Sequence, residues 1–180
     1  MRNLNIKIYP VILLAVLSAG CRKNITQAEK QSMLFEFEHI SYDMEYQHSG
    51  FIIDSDGNVF TYHNPESWNF PDKDLMISAQ QVEQNLAMCK RSRIRVTEQE
   101  LGKYSAHIKN IAASKVTALR NVSDNSGSGE YICYLYNGNT GYYKGTIIKM
   151  EGDFTCENLN FYSRKVYDWM REINWKLGGK

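Results

Sequence analysis

The side chains able to move protons, bind metal or attack a carbonyl are few and scattered. The four histidines are His39, His48, His63 and His107, and none forms the His-x-x-x-His pair that sets two imidazoles on one helical face for a metal. His48-Ser49 and His63 lie in or beside extended segments, with Asp43 and Glu45 close enough in sequence to orient an imidazole for hydrolysis. No Gly-x-Ser-x-Gly elbow or similar nucleophile context accompanies them. Asp54-Ser55-Asp56-Gly57-Asn58 carries oxygen-bearing side chains at alternate positions, like the start of a calcium loop. The bidentate Glu such a loop needs at its twelfth position is replaced by Pro65, so the string reads as a turn. No catalytic residue, cofactor or metal site is assigned from sequence.

Besides Cys21 the chain has Cys89, Cys133 and Cys156. Cys89 falls in register with Val82 and Leu86 on an apolar helical stripe, which predicts a thiol filling core space. Cys133 and Cys156 remain as a candidate disulfide; closing a loop of about 24 residues would contribute roughly 3 kcal/mol in the chain-entropy model. No Cys-x-x-Cys spacing suggests metal, and no motif places a His or helix terminus to activate a thiolate.

Aromatic side chains are the most suggestive recognition feature. Tyr131, Tyr134, Tyr136, Tyr142 and Tyr143 crowd one hairpin, and Trp68, Phe70 and Trp175 fall in loop or terminal segments. Such rings give large rigid contact area with a polar handle, suited to a protein or glycan partner. Tyr134, Tyr136, Tyr142, Tyr143 and Trp68 form the candidate binding surface, although Tyr also serves cross-strand packing. Lys90-Arg91-Ser92-Arg93-Ile94-Arg95 places four cations in six residues. The run suits anionic headgroups or a helix C-terminus solvated beside Glu98 and Glu100.

The first twenty residues divide as an export signal does: Arg2 and Lys7, then ten apolar residues from Ile8 to Leu17, then Ser18, Ala19 and Gly20 before Cys21. Ten residues make about 15 Å of helix, too short for a bilayer core of about 30 Å. The string Leu17-Ser-Ala-Gly-Cys21 resembles the lipobox of bacterial lipoproteins. That resemblance covers the first 21 residues. It implies cleavage before Cys21, lipid on its thiol, and anchoring of the chain by several acyl chains at the bacterial cell envelope. Arg22 rather than Asp follows the cysteine, which implies the outer membrane if the host is a diderm resembling the enteric bacteria.

Removing residues 1–20 takes two of the 21 basic side chains and none of the 20 acidic ones, leaving a net charge of −1. No basic excess points to nucleic acid. The expected organisation is a signal at 1–20, a lipidated tether at 21–32, and one globular domain at 33–180, large enough to bury a real core.

Hydrophobic periodicity outlines the elements that must position these residues. Leu34 to Gln47 alternates acids with aromatics, Ile40, Tyr42, Met44 and Tyr46 sharing one parity, as in a half-buried strand. Gly50–Asp54 and Val59–Tyr62 read as a hairpin joined through Asp56-Gly57. Ser78 with Gln81, and Thr97 with Glu100, match helix-capping boxes. The second of these helices aligns Leu101, Tyr104, Ile108 and Ile111. Strands follow near 115–121, 130–136 and 142–150, and a last helix near 160–175 buries Tyr162, Val166, Trp169 and Ile173. The fold expected is α+β, one mainly antiparallel sheet of about five to six strands with three helices on one face. Two functions fit: a non-catalytic module binding an envelope protein or a glycan, or a small envelope hydrolase acting on peptidoglycan or a peptide.

Overall fold

The computed structural model describes residues 31–123 and 127–178; the segments expected to be an export signal and most of a tether, with Cys21, lie outside them. The fold is α+β, as the alternation of periods predicts. Its strands are β1 (Phe35–Ser41), β2 (Gln47–Ile53), β3 (Asn58–His63), β4 (Met76–Ser78), β5 (Lys90–Arg95), β6 (Arg120–Asn121), β7 (Ser128–Asn137), β8 (Tyr142–Gly152) and β9 (Phe154–Glu157). Helical segments are α1 (Ala79–Ala87), α2 (Glu98–Ser105), α3 (Ile108–Ala112) and α4 (Ser163–Lys176). The sheet runs β5-β3-β2-β1-β7-β8-β9-β6, with β4 beside one end of β8, and every pairing is antiparallel. Eleven residues of β8 suffice for two partners on one edge, β4 at Tyr142–Lys144 and β9 at Lys149 and Met150.

Among the described residues nine strands form, more than the five to six expected, for identifiable reasons. The run Lys90–Arg95 forms edge strand β5, where charge guards an open ladder against stray pairing. It is not a helix end. Strands β4 and β9 have three and four residues, too short for an alternation signal. Conversely, β1 stops at Ser41, leaving Tyr42, Met44 and Tyr46 in the connection to β2 and exposed. Their shared parity is a property of the turn, not of a buried strand.

Helices cover both faces, not one. On the first, Phe35, Phe37, Phe51, Ile53 and Tyr131 pack against Leu101, Ile108, Ile111, Val166, Trp169 and Met170 from α2, α3 and α4. Trp169 lies edge-on to Phe35 at 5.1 Å, stacks on Tyr104 at 4.4 Å and donates its indole N–H to Glu100 at 2.7 Å. The stripe Leu101–Ile111 survives a break between α2 and α3, because its residues still project onto one face. On the second face α1 and the 64–76 connection cover Ile52, Tyr62, Ile132, Tyr134 and Tyr143, with Val82 the buried residue of the helix stripe. The helix starts as expected: Ser78 Oγ accepts from Gln81 N at 3.2 Å, and Gln81 Oε1 accepts from Ser78 N at 3.0 Å. Among the described residues, no helix is long and apolar enough to cross a membrane.

Candidate functional site

Strand β1 reads Phe35-Glu36-Phe37-Glu38. Successive side chains of a strand point to opposite faces, so both phenylalanines enter the first core and both glutamates point to the second. Since β1 lies mid-sheet with both faces covered, the acids are buried too; Glu36 is 5% exposed. Tyr134 Oη donates to Glu36 Oε2 at 2.6 Å, and Tyr62 Oη lies 3.4 Å from Oε1. Burial first, then the charge of Glu38, pushes Glu36 up to about 8, against hydrogen bonds that favour the anion. Burial thus favours the protonated form of Glu36. Burial, followed by the nearby Glu36, also raises both phenols well above their ordinary value.

Glu38 meets His48, with Nε2 and Oε1 2.7 Å apart. The imidazole is buried, with ring centroids of Tyr62, Trp68 and Phe70 5.1, 5.3 and 5.2 Å from its own. Its backbone is clamped by Asn64, whose side chain accepts from His48 N at 2.7 Å and whose N–H donates to His48 O at 2.6 Å. Glu130 of β7 stands directly opposite Glu38. Burial and then the Glu38 charge push it up to about 7. Opposite Glu38 on the other side is Gly50, where a Cβ would sit 2.0 Å from Phe37 O and 2.6 Å from the Tyr62 hydroxyl.

This cluster stores protons but offers no attacking group. Burial holds the Cys89 and Cys133 thiols up at about 12, so neither supplies a thiolate, and it raises Cys156 as well. Tyr134 and Tyr62 meet the Glu36 carboxyl, and the Trp68 ring packs on Tyr62 at 4.2 Å. The acids near His48 in sequence, Asp43 and Glu45, are exposed in the β1–β2 turn, and the imidazole pairs with Glu38 instead. His39 is half-buried, His63 exposed, and His107 stacks on Tyr162 at 3.8 Å. Asp54 Oδ1 accepts from Asp56 N and Asn58 N at 2.9 and 2.8 Å, which occupies it in the turn. Among the described residues no group of three or more His, Cys, Asp or Glu side chains is placed to hold a metal ion.

The tyrosines of the last hairpin divide between core and surface. Tyr134 and Tyr143 are buried, Tyr136 is half-buried against Tyr143 at 4.8 Å, Trp68 is half-buried, and Tyr142 is exposed. They do not converge on one open surface. Cys133 and Cys156 are free thiols. Cys133 shares the parity of Phe35, its partner in register, while Cys156 pairs with Met150 and through it with Glu130, so the two cysteines lie on opposite faces. A sheet separates them and no disulfide forms.

Open aromatic surface instead gathers at the β1–β2 connection. Tyr42 is 77% exposed and Met44 93%, with Tyr46 and Phe70 also exposed. The rings run continuously, Tyr42 to Tyr46 at 5.4 Å, Tyr46 to His48 at 6.2 Å and His48 to Phe70 at 5.2 Å. Tyr42 and Asp43 also line a hollow of about 370 Å³ with Ile40, Ser128, Asp153 and Phe154. The parity of Tyr42, Met44 and Tyr46 suggested a half-buried strand; the end of β1 at Ser41 places them in the exposed turn instead. No protein-family model, curated protein or solved structure matches the chain.

Proposed function

We propose that the chain is a lipid-anchored binding module of the bacterial cell envelope, held by acyl chains on Cys21, with the β1–β2 tip as its recognition surface. The carrying observation is the exposure of Tyr42, Met44 and Tyr46 on one turn, with exposed Phe70 meeting the same buried His48 ring that Tyr46 meets. Large exposed apolar patches cost solubility and mark interaction sites. Residue 31 lies at the other end of β1, where Gln31 O accepts from Ser55 N at 3.0 Å. Seven residues of strand put the tip about 23 Å from that end at roughly 3.3 Å per residue. In a diderm host, Arg22 after Cys21 favours the outer membrane.

Two measurements test this. Intact mass of the membrane-extracted protein should show cleavage before Cys21 and added acyl chains, both absent in Cys21→Ser. A photo-crosslinking phenylalanine at position 44 in the native envelope should give one discrete adduct, lost when Tyr42→Ser and Tyr46→Ser are added. An equal adduct from exposed position 175, or none from 44, overturns the surface.

A second reading, a small hydrolase acting on peptidoglycan or a peptide, draws support from Glu36 as a protonated acid beside the Glu38–His48 pair. It requires the Trp68 segment to swing away. Fragment release that Glu36→Gln abolishes would favour it over the binding module.

A further inference from the structure

Resting on that surface reading, we infer that the β1–β2 tip captures a cationic peptide segment, one presenting Lys or Arg side chains. The tip reads Ser41-Tyr-Asp-Met-Glu-Tyr-Gln47, rings alternating with carboxylates, and Tyr42 to Tyr46 are all exposed. From residue 31 to residue 72 the chain carries eight Asp or Glu and no Lys or Arg, although it has 21 basic residues in all.

Elsewhere on the surface, carboxylates have cations beside them: Asp74 with Lys73 at 2.8 Å, Glu157 with Lys149 at 3.2 Å, Glu172 with Lys176 at 2.8 Å. Among the described residues, Asp43 and Glu45 have no such partner. Glu38 acts on the Tyr46 phenol from the sheet behind, and Asp153 lines the hollow beside Tyr42 and Asp43.

Rings and acids together select the partner. A cation gains from the carboxylates by Coulomb attraction and from the faces of Tyr42 and Tyr46 through their quadrupoles. The fold already uses the second contact, with Lys165 Nζ 5.3 Å from the Phe161 ring and the Arg171 guanidinium 5.3 Å from the Tyr167 ring. A neutral glycan could stack on the rings but would gain nothing from the carboxylates. Anionic lipid headgroups would be repelled, which sets this end against lying on the membrane.

The test titrates the mature chain, carrying Cys21→Ser for solubility, with an eight-residue peptide alternating Arg and Ala while backbone amide shifts are followed. Saturable shifts confined to residues 41–47 and their neighbours are expected. Affinity should fall about tenfold in the double variant Asp43→Asn, Glu45→Gln, and at least as much in Tyr42→Leu, Tyr46→Leu. Both pairs sit in an exposed turn, and unchanged thermal unfolding will show that they fold.

Equal binding of a Gln/Ala peptide overturns the charge argument. So do tip shifts produced by a chito-oligosaccharide but not by the Arg peptide. In either case a position-44 adduct would leave the surface itself standing. Failure of both peptide and adduct removes both readings. Tip shifts that appear on concentrating the protein alone, and vanish with Arg91→Gln and Arg93→Gln, would make β5 of a second copy the occupant and also overturn the inference.

Discussion

Tyr134 donates a 2.6 Å hydrogen bond to Glu36 across 98 residues of sequence. The bond joins β7 to β1 inside the second core, where both residues are buried. An unpaired carboxyl or phenol there would keep its full desolvation cost, so the pair holds these strands to one register. The same burial favours the protonated form of Glu36, and stability is thereby tied to pH.

Glu36 is raised from 4.5 to about 8 and Glu130 from 4.5 to about 7. Between 4.5 and those values the folded state binds protons that the unfolded chain releases, so stability falls as pH rises. Their contribution is fully present below about 4.5 and lost as pH passes 7 and then 8. Denaturant unfolding at pH 5, 7 and 9 should show stability falling step by step, with more than half of the fall removed in Glu36→Gln. A flat profile in the unaltered protein would show that Glu36 ionises freely.

Gly50→Ala places a methyl 2.0 Å from Phe37 O and 2.6 Å from the Tyr62 hydroxyl. Neither backbone nor a buried Tyr can yield without disturbing the cluster. We expect a loss of roughly 2–4 kcal/mol, read from the denaturation midpoint at constant slope. Gly102→Ala, with open space at its Cβ, should instead be neutral or stabilising, since Ala suits a helix better.

Thiol titration of the mature chain carrying Cys21→Ser should find three reduced cysteines, unreactive until the protein unfolds. Cys89 and Cys133 are held up at about 12 and Cys156 is raised, all by burial. Mass should be unchanged by reductant. A loss of two thiols on oxidation without unfolding would mean that Cys133 reaches Cys156 around the sheet.

Tyrosines of the core and the tip should separate cleanly. Tyr134→Phe strips Glu36 of its 2.6 Å donor and should cost about 1–3 kcal/mol. Tyr42→Ser and Tyr46→Ser, at exposed positions, should change stability by no more than about 0.5 kcal/mol each. The ranking is readable by thermal unfolding, and its reversal would place the tip in the core.

Much of the framework was legible along the chain. The Ser78–Gln81 box, the Asp56-Gly57 turn with Gly57 at φ 78°, and the Leu101–Ile111 stripe are written in neighbouring residues. These features need only local hydrogen bonds and the 3.6-residue period. The short strands β4 and β9 were not legible, because three or four residues leave no pattern to count. The cluster at Glu36 was half legible: alternating Phe and Glu predicted a strand, but not that both of its faces would be covered.

The sequence by itself determined an α+β chain with an antiparallel sheet, because period, turn chemistry and capping are local. Only the tertiary structure decided which side chains meet. Strand order put β7 beside β1 and thus Tyr134 on Glu36; the pleat set Cys133 and Cys156 on opposite faces; and the end of β1 at Ser41 turned Tyr42 and Tyr46 outward. Each follows from pairing between segments far apart in sequence, where a shift of one residue exchanges core for surface.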